Sequence, residues 1–220
     1  NDIGRSKAPP WLNEGLAEAH SSLAIVTYKF DWDWQKAESH FKRAVELNDS
    51  YPTAHHWYGE FLVLMGRHKE GLERLATAET LDPFSLAIKV DIAEALYRAG
   101  NHDEAKRKAE QVLAIDANYL QAYRIIRHIY IRQNSPPAEV VKLDLQIQAN
   151  SKIPPPIFSE LETLSRNQDF AGYWRKRLEL VKNSTPSPYF LEEAGIQILL
   201  GEKEKAVATL EKQMKSRELT

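Results

Sequence analysis

There is no cysteine in this chain of 220 residues, which excludes disulfide staples and thiolate metal sites and leaves the compartment open. No sign of charge dominates either. Lys and Arg number 29 against 31 Asp and Glu, a net −2, so the strongly basic character of a nucleic-acid-binding domain is missing. Long apolar runs are absent as well. The longest, Phe61-Leu62-Val63-Leu64-Met65, is far short of the roughly 20 residues of a membrane helix. No basic-then-apolar leader follows Asn1, and the chain reads as an excised piece or processed product; a cytoplasmic location is an expectation. The catalytic signatures are missing too: no nucleophile elbow, no metalloprotease His-Glu pattern and no phosphate loop. Gly195 to Gly201-Glu202-Lys203 has the wrong spacing and no Lys-Ser or Lys-Thr. His55 and His56 are adjacent, so on a helix they point in different directions and suit a shared metal poorly. No catalytic residue, cofactor or metal is expected.

What is present is a period of 34 residues. Ala37, Gly71 and Ala105 hold it, as do Phe41, Leu75 and Ala109, then Ala44, Ala78 and Val112, and Leu47, Leu81 and Ile115. Asn48, Asp82 and Asp116 align at the repeat ends, and Gly66 and Gly100 share a turn column that Trp32 occupies first. Apolar spacings of three and four between these columns predict two helices per repeat. One helix pair cannot bury its apolar face alone, so stacking is obligatory.

These columns resemble the tetratricopeptide (TPR) repeat. The best match is residues 52–85, with Gly59, Leu62, Gly66, Leu75, Ala78 and Pro83 in order. It departs at Gly71, where Ala is usual, which predicts a weakening of that helix by roughly 1 kcal/mol. The resemblance implies an all-α fold of antiparallel helix pairs stacked in a right-handed superhelix, an α-solenoid. Residues 1–17 are a lead-in, 18–151 hold four repeats and 152–220 hold degenerate TPR-like pairs. Helices are predicted near 13–30, 34–47, 52–65, 68–81, 86–99, 102–115, 119–133 and 136–149, with four less regular ones after them. The run from Asn150 to Pro156 is expected to separate two stability units, with a shortened turn near Gln168-Asp169 and a second break at residues 183–188.

Two phrases narrow the resemblance. Phe30-Asp31-Trp32-Asp33-Trp34 and Thr53-Ala54-His55-His56-Trp57-Tyr58 look like the TPR portion of bacterial multidomain signalling proteins. In that group the repeats come after a CadC-type winged helix or a Ser/Thr kinase, often with a TolB-like region between. Glu202-Lys203-Glu204-Lys205-Ala206 is similar to the group's last repeat. The resemblance implies an interaction scaffold for a protein or peptide, without direct nucleic-acid or membrane contact and with the oligomeric state open. The rival is an assembly subunit that self-associates.

In TPR superhelices the first helix of each pair lines a concave groove, and its fifth, ninth and thirteenth columns face it. Those columns hold Ser22, Val26 and Phe30; His56, Glu60 and Leu64; Val90, Glu94 and Arg98; and Arg124, His128 and Arg132. The expected groove runs from apolar through mixed to basic, and His56, Glu60, Glu94, Arg98, Arg124, His128 and Arg132 are its candidate ligand residues. Arginine suits carboxylate recognition, which favours an acidic partner, and His128 is expected to act as a pH lever near neutrality. An equally open reading has the arginines pair with Glu94 or Asp91 and staple neighbouring repeats. Trp32 and Trp34 are read first as a cap over the core of the first repeat, since tryptophan is usually mostly buried, and second as an exposed ligand contact.

Overall fold

The computed structural model describes residues 16–150, 153–183 and 190–217. Twelve α-helices and no strand occur among them. The chain divides into two compact units, Asn1–Ile129 and Tyr130–Thr220.

The first unit carries three helix pairs: α1 (Ala17–Lys29) with α2 (Trp34–Leu47), α3 (Pro52–Leu64) with α4 (His68–Leu81), and α5 (Leu86–Arg98) with α6 (His102–Ile115). Most of α7 (Leu120–Arg132) comes next. These bounds lie within a residue or two of the expected ones. The exception is the start of α1, since residues 13–15, like most of the lead-in, lie outside the described residues. Pro52 opens α3 at a position where a missing N–H costs nothing. Asp33 caps α2 by accepting from Lys36 N–H at 2.9 Å, and Ser85 caps α5.

The periodic columns are the core. Ala37, Phe41, Ala44, Leu75, Ala78, Ala105, Ala109 and Val112 are fully buried. The fourth column departs from this: Leu81 is exposed and Ile115 is 66% exposed. Gly59 and Gly71 let α3 and α4 approach closely. A Cβ on Gly71 would lie 2.8 Å from the Gly59 carbonyl oxygen and 2.6 Å from Val63 Cγ2. Alanine at 71 would therefore collide with backbone, and the glycine read as a weak point is a fitted contact.

The second unit holds the end of α7, α8 (Pro137–Ala149), α9 (Pro155–Arg166), α10 (Phe170–Asn183), α11 (Phe190–Leu199) and α12 (Lys203–Arg217). Its core joins Val140 and Val141 of α8 to Leu161, Tyr173, Trp174, Val181 and Ile196. The run 150–156, of which 151 and 152 lie outside the described residues, thus falls inside a packed unit. Helix α8 packs against α9 and α10, so this run is not where the compact units divide. Of the break expected at 183–188, residues 184–188 also lie outside the described residues.

The turns keep time through both units. Left-handed residues occur at Trp32, Gly66, Gly100, Asn134, Gln168 and Gly201, spaced 34, 34, 34, 34 and 33 apart by subtraction. At the last five the helix closes alike: the next residue's N–H reaches back five residues, as Arg67 to Leu62 at 2.9 Å and Asp169 to Leu164 at 3.0 Å. The turn at Gln168 is therefore of ordinary length, three residues between α9 and α10 as between α3 and α4.

Candidate functional site

The first-helix faces of the first unit carry all of the candidate residues except Arg132. On α3, His56 and Glu60 are one turn apart and share a face. Asp91 of α5 meets them: His56 Nε2 lies 2.6 Å from Asp91 Oδ2 and 4.0 Å from Glu60 Oε2. Burial opposes protonation of His56, but the hydrogen bond and charge of Asp91 and the charge of Glu60 outweigh it, so its pKa is raised. Burial, then the Asp91 charge, raises the pKa of Glu60 against His56 and Lys29. Glu94 pairs within its own helix with Arg98 at 2.8 Å. Glu60, Leu64, Asp91, Glu94 and Arg98 line a cleft of about 100 Å³.

Further along, Arg124 is exposed and forms no ion pair with a described residue. That removes the expected staple between Arg124 and Glu94 or Asp91, whose carboxylates are engaged by Arg98 and His56. His128 packs near the Tyr97 ring, centroids 6.1 Å apart. Desolvation, then the charges of Arg127, Arg124 and Arg98, hold its pKa well below the ordinary histidine value. The side chain is nonetheless exposed at the surface, and the neighbouring arginines that attract an anion also oppose the proton on which a lever near neutrality depends. Arg132, the last member of the column, is exposed and belongs to the second unit.

Two more expectations change. Val90 is only 4% exposed; it packs into the core, and Asp91 presents the polar group instead. Trp32 and Trp34 do not cap the core: Trp32 is 60% and Trp34 40% exposed, and Phe30 is 75% exposed. Their rings form a chain, Trp32 against Trp34 edge-on at 6.1 Å and Trp34 against the core residue Tyr28 at 6.2 Å. Trp32 also holds a φ of 58°, a conformation that costs a residue with a Cβ roughly 1–2 kcal/mol. Val26 and Leu64 are about half exposed. Asp91 was missed as a site residue because it stands one position beyond the groove column; only the pairing of α3 with α5 reveals it.

No family model matches the sequence. Over 132 residues the chain is 25% identical to human protein O-mannosyl-transferase TMTC1, covering 60% of this chain and 15% of that protein. The chain thus spans about a seventh of that relative's length. Among solved structures, Pseudomonas aeruginosa PilF superposes with a TM-score of 0.60 at 18% identity, over 82% of this chain and 83% of that one. YrrB, a TPR protein with an unusual peptide-binding site, superposes with a TM-score of 0.52 at 13% identity, over 92% and 87%. These likenesses support an all-α fold of TPR type. Among the described residues no helix is long and apolar enough to cross a membrane.

Proposed function

We propose that the chain is a protein-interaction module whose first-helix faces hold a partner's peptide segment, apolar at one end and acidic at the other. The observation that carries this reading is the asymmetry of those faces. Val26, Phe30 and Leu64 expose apolar surface in the first two repeats, while Arg98 and the unpaired Arg124 come after them in repeat order. Exposed apolar groups that gain nothing from folding are available to a partner. An arginine without an internal carboxylate is available to one brought from outside, by paired charge-assisted hydrogen bonds. The aromatic turn adds support. A left-handed residue is needed there, glycine meets the need in the next two repeats, and the first repeat places an exposed indole at that position.

We place the parent protein among bacterial cytoplasmic signalling or transcriptional regulators, on the resemblance of residues 30–34 and 53–58. YrrB, with its peptide-binding site, is a precedent for peptide capture on this fold. The rival role is self-association through the same apolar groups, for which a mass that rises with protein concentration is the sign.

The test is recovery of partners from a bacterial lysate by the wild-type chain and by Arg124→Ala. Partner recovery falls in the variant while its melting temperature holds. If recovery is unchanged and the melting temperature drops, Arg124 serves the fold and the reading fails.

A further inference from the structure

We propose that His56, Glu60 and Asp91 form a binding site for a divalent first-row cation of the zinc type. One imidazole and two carboxylates offer donor atoms that all lie within 4.8 Å of one another. His56 and Glu60 stand four apart on α3, which puts both on one face, and Asp91 comes from α5, the neighbouring first helix. Both helices are anchored: Ala54, Tyr58 and Phe61 on α3 and Ile88, Val90 and Ile92 on α5 are buried. The three donors are thus held from two elements of one packed stack rather than from a loop.

The distances fit. Zinc takes nitrogen and carboxylate oxygen at about 2.0–2.2 Å, so tetrahedral donors stand about 3.4 Å apart. The separations of His56 Nε2 from Asp91 and Glu60, 2.6 and 4.0 Å, bracket that value. An ion would replace the His56–Asp91 hydrogen bond and draw Glu60 in by a rotamer adjustment. The charges fit as well. Neither Glu60 nor Asp91 forms an ion pair with a described lysine or arginine, and their carboxylates lie within 4.8 Å of each other. A divalent cation neutralises both. A nitrogen donor beside two oxygens selects zinc-type ions over magnesium and calcium, which prefer all-oxygen shells.

Three protein donors leave a coordination position open, and Glu60 and Asp91 border the small cleft beside Glu94 and Arg98. A water fills that position in the free protein. An acidic side chain of the partner could take it, a step that rests on the peptide reading, whereas binding of the ion does not.

The test is calorimetric titration of the full chain with zinc chloride, without any partner, on wild type, His56→Ala, Glu60→Gln and His20→Ala. The last covers a close histidine pair elsewhere, His20 and His40, whose Nδ1 atoms are 3.0 Å apart. Wild type and His20→Ala take up one zinc ion with Kd tighter than about 100 µM. His56→Ala loses the binding, Glu60→Gln weakens it at least about tenfold, and magnesium at the same concentration gives no heat. Glu60→Gln keeps the side chain's shape, so it decides the matter even if His56→Ala fails to fold by circular dichroism. Absence of zinc binding in wild type, or binding unchanged in Glu60→Gln, overturns the proposal. Because no partner is present, that failure leaves the peptide reading standing.

Discussion

Asp144 and Arg177 meet at 2.9 Å between α8 and α10, both almost wholly removed from water. Tyr173 donates to the same Asp144 oxygen at 2.8 Å, and Arg177 reaches Glu192 of α11 at 2.6 Å. Three helices of the second unit are thereby joined through one buried polar cluster. Removing Arg177 takes the counter-charge from the fully buried Asp144, and removing Asp144 leaves Arg177 with Glu192 alone; breaking a buried pair in this way costs about 3–5 kcal/mol. Asp144→Leu and Arg177→Met are each expected to destabilise the second unit by that much. The double variant Asp144→Leu with Arg177→Met is expected to recover most of the loss, because apolar replacement of both partners is often neutral. Chemical denaturation of the four proteins checks this; additive losses would show that the pair is not coupled.

Glu38 of α2 gives a pH dependence of known sign. The hydrogen bond from Arg67, at 2.8 Å, is the largest influence; Lys42 and Tyr58 assist against burial, and the carboxyl is held down at about 2 from an ordinary 4.5. A depressed carboxyl stabilises the fold fully above its unfolded value and loses that contribution as pH falls toward its folded value. Wild type should therefore melt above Glu38→Gln at pH 7, and the gap should close between about pH 4.5 and about pH 2. A gap that ignores pH would mean that shape, not charge, is what Gln fails to reproduce.

Gly71→Ala sets two effects against each other. Helix propensity favours alanine by about 1 kcal/mol. The new methyl would sit 2.8 Å from the Gly59 carbonyl oxygen, a backbone atom that cannot step aside, and overpacking of this kind costs about 1–3 kcal/mol. The variant is expected to be less stable by about 1 kcal/mol, read from the denaturation midpoint. A more stable variant would mean that α3 and α4 separate without loss.

Trp32 separates folding from binding. Trp32→Gly relieves the left-handed backbone, whereas Trp32→Ala removes the indole and keeps the strain. Glycine should be more stable than alanine here by about 1 kcal/mol, and no less stable than wild type. Both variants should lose partner binding alike. Equal stability of the two would show that the turn does not need its positive φ.

Much of this fold was legible because the 34-residue period is written in buried small and apolar residues, from Ala37 to Val112. It faded where the same backbone task passed to other residue types. Asn134 and Gln168 occupy the left-handed turn column, but only glycine announces that column to a reader. Val90 and Asp91 show the limit at the site: a groove column drawn from helical geometry cannot tell which of two neighbours turns inward, since the packing of α3 against α5 decides it. The two tryptophans misled for a related reason. Their usual burial is a statement about averages, and Trp32 stands exposed in a turn whose backbone is set by the repeat.

The most direct test of the binding account is a peptide titration. Peptides selected from a random library on the wild-type chain are labelled, and their affinity is tracked by fluorescence anisotropy as salt is raised from about 50 to 300 mM. The account predicts that selected peptides carry acidic residues beside apolar ones. It also predicts that affinity falls with salt, and that Arg124→Ala weakens binding by about tenfold, the worth of one charge-assisted contact. Peptides without acidic residues, bound equally well by Arg124→Ala and insensitive to salt, would contradict it.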